Sequence, residues 1–184
     1  MYRTGSIAIM APNKDKVMEF GEMRNLEIES LITDPTNGVP VLLLKDIDSG
    51  FVLPIWIGQA EAMAIAMELN DKQFPRPLTH DLIKIVINST GGSLKKVIIS
   101  DLKESTYYAS LICEGSDGAE FSVDARPSDS VALAIRTDTP LWVKEEVFQS
   151  SAIEADFDTS REDKESFERF IDKELDIKDF KKFT

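Results

Sequence analysis

Histidine occurs once in the 184-residue chain, in the stretch RPLTHDL from Arg76 to Leu82, flanked by Thr79 and Asp81. A second stretch, DARPSDSVALAIR from Asp124 to Arg136, again sets an arginine before a proline, with Asp124, Ser128 and Asp129 close by. Each stretch places polar side chains at the start of an apolar helical pattern, where backbone N–H groups are free and the positive end of the helix dipole collects. Such a junction suits an anion, with Arg76 and Arg126 as phosphate contacts and Thr79 and Ser128 beside them. His80 is either an ordinary surface or packed residue, or a proton shuttle or phosphate contact. Asp81, Asp124 and Asp129 are carboxylates with two uses, as ion-pair partners of the arginines or as ligands for a cation. Glu61, seven residues before Glu68 on an Ala/Met-rich segment, adds a fourth.

A lone histidine cannot build a three-histidine zinc centre, and a lone cysteine, Cys113, can form neither an intrachain disulfide nor a thiolate cluster. Cys113 lies in an alternating apolar stretch and reads as a small buried strand residue. There is no G-x-G-x-x-G, P-loop, H-E-x-x-H or G-x-S-x-G motif. What remains is carboxylate chemistry with a hard cation such as Mg²⁺ or Mn²⁺, with Asp81 as a candidate ligand and Glu61 either a ligand next to Asp81 or Asp124 or part of a solvated helix face. The structural alternative is equally explicit: Thr79 caps a helix, Asp81 favours its first turn, and Arg126 pairs with Asp124 or Asp129 to lock a helix to the sheet.

The elements that must carry these residues follow from periodicity. RNLEIESLITD, VPVLLLKD and FVLPIWIG, separated by TNG and DSG, read as three strands. QAEAMAIAMELN then reads as a helix of about three turns, and LTHDLIKIVINST as a second helix ending at Gly91-Gly92. Residues 93–125 hold three strand-like runs punctuated by KES and GSDG, an antiparallel meander. RPSDSVALAIR is a third helix with Pro127 at its first position, followed by a short strand at PLWV and a turn of helix in KEEVFQ. In DTSREDKESFERFIDKEL, Phe167, Phe170 and Ile171 make one stripe of an amphipathic helix that docks on the domain or a partner. The expected class is α+β, a mainly antiparallel mixed sheet with three core helices and a C-terminal amphipathic helix. The expected units are an N-terminal extension (1–21), one domain (22–153) and an acidic helical tail (154–184).

The formal net charge of −12 argues against broad attraction to nucleic acid or an anionic membrane, so any phosphate-binding surface must be local. Apolar runs are far shorter than the roughly 18 residues of a membrane span, and the N-terminus lacks a secretory pattern, which together point to a cytoplasmic protein.

In their order and spacing, LPIWIGQAEAMAIAMEL, RPLTHDL, DARPSDSVALAIR and PLWV resemble the bifunctional nuclease family, over about Met23 to Ser151. The resemblance implies an α+β fold, a wedge-shaped homodimer with a large groove, and activity on DNA and RNA. It carries over, position by position, to Glu61, Arg76, Thr79, His80, Asp81, Asp124, Arg126, Ser128 and Asp129. The chain departs from the family at ELNDKQF, where many members have a glycine near Asn70 or Asp71. The expected mechanism is metal-assisted phosphodiester hydrolysis, with Asp81, Asp124, Asp129 and Glu61 holding one or two cations, Arg76 and Arg126 holding phosphate, and His80 donating a proton. The alternatives are a non-catalytic dimeric binding or regulatory module, which the acidic balance favours, and a small-anion-binding domain that uses the same helix N-termini.

Overall fold

The computed structural model describes residues 21–154 other than Gln73. The N-terminal extension and the C-terminal amphipathic helix expected from the sequence lie outside the described residues, apart from a few at the inner ends of those segments. Three strands, β1 (Met23–Thr33), β2 (Pro40–Asp46) and β3 (Val52–Trp56), form one antiparallel meander, and β4 (Ser93–Lys103), β5 (Thr106–Glu114) and β6 (Glu120–Ala125) form another. A four-residue strand, β7 (Leu141–Lys144), joins them. It pairs antiparallel with β1, Leu26 opposite Leu141, and parallel with β4, Ile98 opposite Trp142. The result is one seven-stranded mixed sheet, mostly antiparallel, in the order β3-β2-β1-β7-β4-β5-β6.

Among the described residues four helices accompany the sheet: α1 (Gln59–Leu69), α2 (Thr79–Ser89), α3 (Pro127–Thr137) and α4 (Glu145–Ser151). None is long and apolar enough to cross a membrane. Helices α1 and α3 pack together and supply Ala62, Ile65, Ala66, Val131 and Ala132, all at most 1% exposed, to the core shared with Leu42, Leu44, Val97 and Val143 of the sheet. Alanines on the facing sides let the two helices approach closely, and each fully buried branched residue stabilises by roughly 1.5–3 kcal/mol.

Helix α2 differs. It touches α3, yet His80 is its one buried residue, and Leu82, Ile83, Ile85 and Val86 stand 37–54% exposed on its outer side. Its start also departs from the sequence reading. Leu78, not Thr79, is the cap residue, with Thr79 first inside the helix. Leucine has no side-chain acceptor, so only half of a capping box is made: Asp81 Oδ2 accepts from the Leu78 N–H at 2.8 Å. At the end of α1, Asp71 adopts φ +51°, a left-handed conformation, which accounts for the glycine that the family resemblance leads one to expect there. The Asn70 side chain compensates in part by donating to the Ala66 carbonyl at 2.8 Å.

Away from α1, α2 and α3, Arg24 ties β1 to the first residue of α4. It donates to both carboxylate oxygens of Glu145 (2.5 and 2.7 Å) and to Asp46 Oδ2 (3.0 Å), and lies over the Phe148 ring at 4.7 Å. The Asp46 side chain is fully buried, so this guanidinium is its charge partner.

Candidate functional site

The N-termini of α1, α2 and α3 and the end of β6 border one groove of about 940 Å³. Glu61 reaches it from the first turn of α1, Thr79 and His80 from the start of α2, Asp124 from β6, and Arg126 and Asp129 from the cap and first turn of α3. Pro127 sets the entry to α3 because its fixed φ is helical and its missing N–H would be unpaired there in any case. The arginine just before it, at φ −69° and ψ 145°, therefore stands at the mouth of the helix.

Arg126 is the hub. Its Nε and Nη2 donate to Asp129 at 2.7 and 3.1 Å, and its Nη1 lies 2.8 Å from Glu61 Oε1. The side chain is nonetheless 65% exposed, so one face of the guanidinium remains open to a ligand. His80, buried in the groove wall, faces Asp129 Oδ1 through Nε2 at 3.2 Å. Burial opposes ionisation of Asp129, but hydrogen bonds from Arg126 and then His80 outweigh it and hold the carboxyl below the usual range. The contact fixes the orientation of the imidazole against the Asp129 carboxylate. Asp124 is exposed on the groove rim.

The remaining residues singled out in the sequence go elsewhere. Asp81, next to His80, turns to the opposite end of α3, where its Oδ1 accepts from Arg136 Nε at 2.7 Å. Arg136, 3% exposed in its side chain, also donates to the carbonyls of Ala132 (2.8 Å) and Ala64 (3.0 Å), with Glu68 at 3.7 Å. Adjacent residues of α2 thus grip both ends of α3, His80 at Asp129 and Asp81 at Arg136, about 10 Å apart along the axis. Ser128 is buried in the first turn of α3, and Arg76 is exposed; neither lines the groove. Sequence reasoning passed over Arg136 as the partner of Asp81. Its signal was present, an arginine on the α3 stripe at helical spacing from the buried alanines.

These placements do not suit a divalent cation held by Glu61, Asp81, Asp124 and Asp129. Two of the four carboxylates already bind a guanidinium that occupies the space between them, and Asp81 points away. Among the described residues no group of three or more His, Cys, Asp or Glu side chains has metal-holding spacing.

The comparisons with known proteins agree with the motifs. The family profile of the bifunctional nuclease domain matches residues 42–156. An uncharacterized protein of Mycobacterium tuberculosis is 45% identical over 160 residues, covering 83% of this chain and 93% of its own length. Bifunctional nuclease 1 of Oryza sativa subsp. japonica is 25% identical over 141 residues (76% of this chain, 42% of the rice protein), and bifunctional nuclease 1 of Arabidopsis thaliana is 26% identical over 107 (56% and 33%). With more than half of its length matched, and with the groove residues inside the matched segment, the chain belongs to the bifunctional nuclease family.

Proposed function

We propose that the protein hydrolyses phosphodiester bonds of nucleic acid in the groove bordered by α1, α2, α3 and β6. The observation that carries this reading is the convergence of His80, Asp129, Arg126 and Asp124 from three elements on one cavity. The open face of Arg126 binds the non-bridging phosphate oxygens, and Glu61 and Asp129 fix the guanidinium plane, so little reorganisation accompanies the growth of charge on phosphorus. Asp124 takes a proton from the attacking water as its oxygen bonds to phosphorus. His80 gives a proton to the leaving oxygen as the second bond breaks, and Asp129 stabilises its imidazolium. Proton exchange with solvent restores both groups. With Arg126 held between Glu61 and Asp129, the donor set does not fit a cation cage.

The test is cleavage of single- and double-stranded DNA and RNA by purified protein in EDTA, Mg²⁺ or Mn²⁺, beside His80→Ala and Arg126→Ala proteins prepared identically. Cleavage lost in both variants supports the reading, and equal cleavage in all three preparations points to a contaminant.

One further observation favours a dimer. The exposed row Leu82, Ile83, Ile85 and Val86 on α2 is larger than scattered surface residues require, and a homodimer that buries it fits the chain as well in a catalytic protein as in a non-catalytic regulatory one.

A further inference from the structure

The groove has two unequal parts. Its polar rim holds a single arginine against three carboxylates, Glu61, Asp124 and Asp129. Its interior is apolar: Met63 and Met67 of α1 face Leu111 and Val123 of β5 and β6, with Leu133 of α3 also in the wall. Chain affinity for a duplex rests on several cations laid along two rows of phosphates. A rim with one guanidinium among three carboxylates, on a chain of net charge −12, cannot supply that. Attraction must come from the interior. Met63 is half-buried and Val123 is 42% exposed, so apolar surface is open there to an occupant. A nucleobase matches it, with a flat apolar face and a ring that thioethers contact favourably. Bases within a duplex are stacked and paired and cannot enter, whereas an unpaired base can turn in and bring its own phosphate to Arg126.

We infer that the groove binds an unpaired nucleotide of a single strand, base against Met63, Met67 and Val123 and phosphate on Arg126. This rests on the proposal that the groove is the nuclease site and names the substrate form it selects.

Fluorescence anisotropy on the full chain tests it with three labelled oligonucleotides: a base-bearing single strand, an abasic strand with the same number of phosphates, and the duplex of the first. The base-bearing strand is expected to bind at least about tenfold more tightly than either of the others. Ala60→Trp, which adds a bulky side chain at an exposed groove position, and Val123→Asp, at an exposed strand position, are each expected to erase that preference without altering the far-ultraviolet circular dichroism. Equal binding of base-bearing and abasic strands, tighter binding of the duplex, or a preference unchanged in both variants overturns the inference. A base preference without cleavage of any substrate would leave the binding mode standing and remove the hydrolytic reading; cleavage without base preference would do the reverse.

Discussion

Asp81 and His80 are neighbours in one motif, and their separation by the fold makes a sharp prediction for Asp81→Asn. The substitution keeps the shape but only one of two acceptors, since Oδ1 accepts from Arg136 Nε at 2.7 Å and Oδ2 from the Leu78 N–H at 2.8 Å; the charge is lost and an amide NH₂ replaces one of the two oxygens. A hydrogen bond to a charged group contributes about 1.5–3 kcal/mol, reduced here because the Asp81 side chain is 34% exposed, and a carboxylate in a first helical turn adds about 0.3–1 kcal/mol. A net loss of about 2 kcal/mol lowers the midpoint of thermal unfolding by roughly 4–8 °C for a chain of this size. Burial opposes ionisation of Asp81, but the Arg136 bond outweighs it and holds the folded carboxyl below its ordinary value. The stabilisation is therefore complete above the unfolded-chain value of about 3.9 and disappears as pH falls through the lower folded value, so the two proteins converge in stability below about pH 4. Cleavage measured well below the midpoint should change by no more than about twofold, because the Arg126 cluster lies at the other end of α3. Circular dichroism melts at several pH values and a steady-state assay at one temperature suffice. A fall of about a hundredfold in kcat with an unchanged midpoint would refute the reasoning and return Asp81 to the chemistry.

Other substitutions separate the remaining roles. His80→Ala and Asp124→Asn should each lower kcat by about 10²–10⁴ without changing the fold measured by circular dichroism; an unchanged kcat in either protein refutes that assignment. Arg126→Ala should cost roughly 10²–10³ in kcat/KM, with Arg126→Lys recovering only part of it because an ammonium cannot hold Glu61 and Asp129 in one plane; full recovery by lysine would show that charge alone suffices. Arg24→Leu strands the buried Asp46 carboxylate and should destabilise by about 3–5 kcal/mol in denaturant titrations while leaving kcat of the folded fraction intact. Leu82→Glu with Val86→Glu should halve the mass measured by sedimentation if α2 forms the dimer contact; an unchanged mass excludes that face.

The strands of both meanders were legible in the sequence because alternation and turn residues are local signals, and Pro127 announced the start of α3 for the same reason. The turn between β4 and β5 was visible only as a polar break. Glu104 and Ser105 both take positive φ, the conformation that two-residue hairpins usually assign to Asn-Gly, and neither residue type advertises it. The joining role of β7 could not be seen, since four residues carry no record of which strands they will meet. For the groove, residue identity was legible and partnership was not. Asp81 and Asp129 look alike in their motifs, each in a first helical turn, and a distant arginine decides which one faces the groove. The same holds for the cation expectation: four carboxylates in a list suggest a cage, whereas Arg126 pairs with two of them and Arg136 with a third.

The placement of β7 bears on how the molecule comes into being on the ribosome. The strand at the middle of the sheet is the last to be synthesised, after both meanders and α3, so the halves emerge as separate ribbons with open edges along β1 and β4. Such edges recruit stray strands, and their closure waits on a contact spanning most of the domain. Arg126 and Asp129 lie between β6 and β7 in sequence, so they are made after both meanders and just before the strand that joins them.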